Sequence, residues 1–243
     1  MVAVITIVIT GVILNLLGSA NSVVLIIAGA IAAVITYTCQ GFNHSCTYVG
    51  ERGIAEIQLT GSRDKPTQLK LLLFKAAANL YTGQTRRYRN GVYNGTSYSY
   101  QWTRPGEKPF ELRGQYFNEK GWPEDRNLWH FANSAESAWS KYLLDAINDQ
   151  FGRLGYVEFP TTGNLKAIRI GRGFLEFIVK DGTSQQVAVS DMRNIQLKAG
   201  QFYFTHQDAR WWSGKGKYSF TYSTIPNAQL FLICLKSLGG VTF

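Results

Sequence analysis

Two groups of basic residues have the types and spacing to bind anions. Arg86, Arg87 and Arg89 crowd into four positions, and Arg210, Lys215 and Lys217 surround the pair Trp211-Trp212. Long cationic side chains beside tryptophan suit a lipid headgroup interface, where the indole sits at the polar boundary and the cations meet phosphate. The alternative for each group is a solvated strand face, with the tryptophans packed in a core or against a second copy. Both readings stay open at this stage.

Catalytic chemistry finds less to work with. Three histidines, His44, His130 and His206, stand in no recognisable motif, and no Gly-x-Ser-x-Gly, His-Glu-x-x-His, phosphate loop or Cys-x-x-Cys occurs. Glu124-Asp125 reads as solvated surface rather than a general acid and base. Cys39, Cys46 and Cys234 form an odd set without metal-ligand spacing. The sequence therefore predicts no enzyme, no cofactor and no metal.

The charge distribution divides the chain. No Asp, Glu, Lys or Arg precedes Glu51; from there to Pro160 lie 15 basic and 12 acidic residues, and from Thr161 onward 10 and 4. Met1 to Leu17 and Val23 to Tyr37 are apolar runs separated by Gly18-Ser19-Ala20-Asn21-Ser22. Such runs predict a transmembrane helical hairpin over residues 1–40, since a bilayer core takes about 20 apolar residues per helix. A first segment that begins Met-Val-Ala-Val-Ile-Thr has no basic flank, so it is read as an anchor and not as a cleaved signal. Lys and Arg are absent from the turn and present from Arg52, which predicts soluble domains on the cytoplasmic side of a bacterial inner membrane or its equivalent. Gly11, Gly18 and Gly29 would let such helices pack closely on copies of themselves, giving a homo-oligomer.

The remainder alternates between strand runs and single helices. Arg87 to Trp102 contains Asn-Gly twice and then alternating aromatic and small residues, which predicts a hairpin with Tyr98, Tyr100 and Trp102 on one face. A capping-box-like start at Asn133 with Glu136 predicts a helix over 134–152, closed by Gly152 or Gly155. Short strands follow, and Pro226 and Gly239-Gly240 bracket a second helix over 227–238. The expected domains are 46–155 and 156–243, each a set of strands closed by a helix, an α+β order.

Tyr88-Arg89-Asn90-Gly91-Val92-Tyr93-Asn94-Gly95-Thr96 and Ile225-Pro226-Asn227-Ala228-Gln229-Leu230-Phe231-Leu232 resemble stretches of a group of bacterial proteins built on pleckstrin-homology-like domains, some preceded by membrane helices. The resemblance covers about residues 48–239 and departs at Asn118–Asn127 and at Arg210–Lys217. It implies a membrane-anchored α+β chain with two tandem PH-like barrel and helix domains, and it implies no activity. Three functions follow as expectations. The first is a non-enzymatic scaffold or self-assembling protein at the membrane face. The second is a module that binds anionic lipid headgroups, and the third a membrane-associated enzyme. Membrane lipids, further copies of the chain and other membrane proteins are the expected partners, and nucleic acid is not.

Overall fold

The computed structural model describes residues 43–60, 68–163, 165–198, 200–209 and 216–241. The chain divides into one unit of residues 1–46 and 56–70 and another of residues 47–55 and 71–243. Strands β1 (Asn43–Gly50), β2 (Gly53–Thr60) and β3 (Gln68–Leu73) form a three-stranded sheet in that order. In the first unit the carboxylate of Glu56 is buried, and it accepts from Lys70 Nζ at 3.1 Å and Gln58 Nε2 at 2.9 Å. A buried carboxylate needs such partners to offset its lost hydration.

The second unit holds two cores. The first is built on the meander β4 (Asn79–Arg89), β5 (Val92–Arg104) and β6 (Glu107–Tyr116). Asn90 and Gly91 join β4 to β5 with φ of 52° and 77°. Two positive φ values in a two-residue loop make a type I′ turn, whose twist matches that of the strands it joins. Along β5 the side chains alternate, so Tyr98, Tyr100 and Trp102 share the buried face with Leu80 of β4 and with Phe110 and Leu112 of β6. Ile54, Leu72 and Phe74 complete this core together with Trp129, Ala132, Ala135 and Trp139 of helix α1. Phe74 meets the edge of Trp139 at 5.4 Å between centroids.

Helix α1 spans Leu128–Leu154 and starts six residues before the predicted position. Asn127, not Asn133, is its N-cap: Asn127 Oδ1 accepts from the backbone N–H of Trp129 and from the hydroxyl of Tyr98, both at 3.0 Å. Glu136 is thereby carried into the helix interior and buried. The helix ends at Gly155, in the left-handed conformation, whose N–H donates to Phe151 O. Its first half serves the first core, while Leu143, Leu144, Ile147 and Phe151 pack on the second.

The second core lies between the sheet β7 (Tyr156–Pro160), β8 (Leu165–Gly171), β9 (Phe174–Val179) and β10 (Ser184–Ala188), the meander β11 (Met192–Lys198), β12 (Gln201–His206) and β13 (Lys217–Thr221), and helix α2 (Ala228–Ser237). Phe231 of α2 presents ring edges to Phe159 at 5.2 Å and Phe220 at 5.8 Å. Burying each such ring contributes about 1.5 to 3 kcal/mol.

Asn227 ties the two cores together. It has φ of 56° and ψ of 43° just before α2. Its Oδ1 accepts from Leu80 N at 2.9 Å and from Trp139 Nε1 at 2.7 Å, while its own N–H donates to Leu80 O at 2.7 Å. One side chain thus joins β4, α1 and the start of α2.

Several expectations are corrected here. The described chain is mainly β, with four small antiparallel sheets and two α-helices. This replaces the membrane-anchored α+β class with two tandem barrels, because the strands pair within separate sheets of three or four. Among the described residues no helix is long and apolar enough to cross a membrane. α1 has the length but carries Lys141, Asp145, Asp149 and Arg153, and the ten residues of α2 rise only about 15 Å, half a bilayer core. The integral-membrane, inner-membrane and cytoplasmic-face assignments are therefore withdrawn. The hairpin predicted over residues 1–40, with Gly11, Gly18 and Gly29, lies outside the described residues.

Candidate functional site

Among the described residues, a site that combines concavity with charge lies where β11, β12 and β13 meet. β11 and β12 pair from Met192↔His206 to Lys198↔Gln201, but the register slips between Arg193 and Gln196. Asn194 occupies the slip with φ of 53°. A bulge of this kind bends its strand and turns side chains out of regular alternation. Thr205 Oγ1 pins it, donating to Arg193 O at 3.2 Å and lying 3.3 Å from Asn194 Nδ2.

The bulge opens a cavity of about 380 Å³ lined by Arg193, Asn194, Thr205, His206, Gln207, Ala209 and Lys217. Arg193 is fixed at its wall, with Nη1 donating to Ser190 O at 2.6 Å and Met192 O at 2.8 Å. His206 accepts at Nδ1 from the backbone N–H of Asp208 at 3.2 Å, so a neutral ring carries its proton on Nε2. Asp191 Oδ2 lies 3.8 Å from that Nε2, and Asp208 Oδ2 lies 3.4 Å from Nδ1. These two carboxylates offset part of the positive field. Gly216 O accepts from His206 N at 2.7 Å. Gly216 has φ of 77°, and a Cβ there would stand 2.9 Å from Ala209 Cβ.

Of the predicted contact residues, Lys217 lines this cavity. Arg210, Trp211, Trp212 and Lys215 lie outside the described residues. Arg86, Arg87 and Arg89 are exposed on β4, and none of them lines the cavity. Arg193, Asn194 and Thr205 carry no sequence signal of a site, and His206 stands in no recognisable motif. They meet only through the β11–β12 slip, and no local motif announces that.

A second polar cluster is closed to solvent. Glu136 Oε1 is buried and has no hydrogen-bond partner among the described residues, as has Trp102 Nε1. Burial pushes the Glu136 carboxyl up to about 7. Tyr100 and Tyr222 are raised by their own burial first and by Glu136 second. Among the described residues no group of three or more His, Cys, Asp or Glu side chains could share a metal ion.

Comparison with protein-family models, with curated proteins and with solved structures returns no match. The likeness to PH-like proteins gains no support from these comparisons, and no functional residue is transferred from it.

Proposed function

We propose that this chain is a non-enzymatic binding module whose β11–β13 cavity takes a phosphate-type anion. The observation that carries this reading is the convergence of Arg193, His206 and Lys217 on one cavity. Arg193 supplies a fixed positive charge at the wall, its Nη1 held by Ser190 O and Met192 O, and Lys217 adds a compact charge. The Asn194 amide and Thr205 hydroxyl offer neutral hydrogen bonds beside them. The anion could be carried by a lipid headgroup or by a soluble phosphate ester, and the chemistry of recognition is shared.

Calorimetric titration of the full chain with inorganic phosphate, followed by vesicles containing phosphatidic acid, separates the two sources. Saturable binding that weakens at least tenfold in R193E/K217E, and weakens further with added salt, is the expected result. No saturable heat with either probe, or the same affinity in the variant, would remove the proposal. The scaffold reading rests on the lack of a catalytic motif beside abundant strand and aromatic residues, and its self-association on Gly11, Gly18 and Gly29, which lie outside the described residues; no specific observation of the fold favours it.

A further inference from the structure

A second surface, far from the cavity in sequence, lies at the β4–β5 turn. Val92, Phe117 and Trp122 are 69%, 66% and 74% exposed, an unusual burden of apolar surface for one strand end and the segment after β6. These side chains are held in place by their surroundings. Phe117 lies against Gly95, where φ is 100° and a Cβ would stand 3.0 Å from the ring. The Tyr93 hydroxyl lies 2.7 Å from Thr96 Oγ1 and reaches Tyr116 O at 3.3 Å and Asn118 O at 3.2 Å. The Tyr88 hydroxyl donates to Glu119 Oε1 at 3.0 Å. Asn118 Nδ2 donates to Trp122 O at 3.0 Å, and the Trp122 ring rests 5.4 Å from that of buried Trp129.

Positive charge accompanies the rings. Arg86, Arg87 and Arg89 are exposed on the same end of β4, with Arg87 steadied by Gln115 Oε1 at 2.5 Å. Lys120 and Arg126 add to them, while Glu119, Glu124 and Asp125 oppose. A two-residue turn presents its side chains outward. Exposed aromatic rings together with the arginines at the end of β4 match the boundary of an anionic bilayer, where rings sit at headgroup depth and guanidinium groups meet phosphate.

We infer that the β4–β5 turn and residues 117–122 form a docking surface for an anionic lipid bilayer. Because the rings are already held, docking orders few new side chains. The contact is peripheral, made by strand ends and rings and not by a spanning helix.

The test places a nitroxide on the full chain at Val92→Cys, with Cys39 and Cys46 replaced by Ser. Its accessibility to oxygen and to a water-soluble nickel complex is read on phosphatidylcholine vesicles with and without phosphatidylglycerol. The label should become oxygen-accessible and nickel-protected only when phosphatidylglycerol is present. That change should be lost in R86E/R87E/R89E and reduced in the milder R86Q/R87Q/R89Q. It should persist in R193E/K217E, so failure of the cavity reading leaves this result untouched. A label that stays in water on anionic vesicles, or that shifts equally with the arginines reversed, would overturn the inference. Loss of the shift in R193E/K217E would overturn it too.

Discussion

The indole N–H of Trp139 donates a 2.7 Å hydrogen bond to Oδ1 of Asn227, a residue 88 positions further along the chain. The same oxygen accepts from Leu80 N at 2.9 Å. A helix of the first core, a strand of the first core and the entry to the last helix of the second are held by one amide. Removing that amide strands two donors, and each donor left without a partner costs about 1 to 3 kcal/mol.

Asn227→Ala should therefore destabilise the chain by at least about 2 kcal/mol, with added strain because alanine disfavours the left-handed conformation. Asn227→Gly relieves the strain but not the lost acceptor, and should fall between wild type and alanine. Urea unfolding measures both. A double-mutant cycle with Trp139→Phe should show a coupling of about 1 kcal/mol. Additive effects would mean the hydrogen bond contributes nothing to stability.

Glu136 predicts a pH dependence. Its carboxyl titrates near 4.5 when unfolded and near 7 when folded, so between those values the folded state holds the extra proton. Stability is then full below about pH 4.5, falls as pH rises and levels off above about pH 7. The span corresponds to about 3 kcal/mol. Glu136→Gln should be more stable than wild type at pH 8 and equal to it near pH 4, with the difference following that window in unfolding curves. Equal pH profiles would show that the carboxyl is hydrated in solution.

Gly216→Ala sets a side chain against Ala209 at a position of positive φ. The expected cost is about 1 to 3 kcal/mol. Because Gly216 O holds His206 N, the variant should also weaken phosphate binding and speed amide exchange at His206 more than at Ile168 in the facing sheet. Uniform exchange changes would refute this local effect.

Arg169 bridges Glu158 and Glu176 across three neighbouring strands, at 2.7 Å and 3.3 Å. These are partly exposed pairs, so Arg169→Met should cost no more than about 1 kcal/mol, and the loss should shrink in high salt. A salt-independent loss of several kcal/mol would show that the side chain acts through packing.

Local features of this chain could be read from residue order because backbone geometry sets them. The Asn90-Gly91 turn and the inward row Tyr98, Tyr100 and Trp102 follow from φ preferences and the two-residue period of a strand, whereas of the two glycines expected to stop α1, Gly152 and Gly155, the fold selects Gly155. The beginning of α1 did not follow. Asn127 and Asn133 are both capable caps, and Asn127 is the one that also takes the hydroxyl of Tyr98 from a neighbouring strand.

Tertiary structure decided the rest for the same reason. The bulge at Asn194 places Arg193 and Asn194 beside Thr205, His206 and Lys217. Beyond the effect of their own burial, Tyr100 and Tyr222 are raised by buried Glu136, and Asn227 acquires its role only when Leu80 and Trp139 reach it. Each is a meeting of side chains remote in sequence. Hydropathy and spacing report what a segment prefers alone, whereas the pairing of strands settles which segments meet.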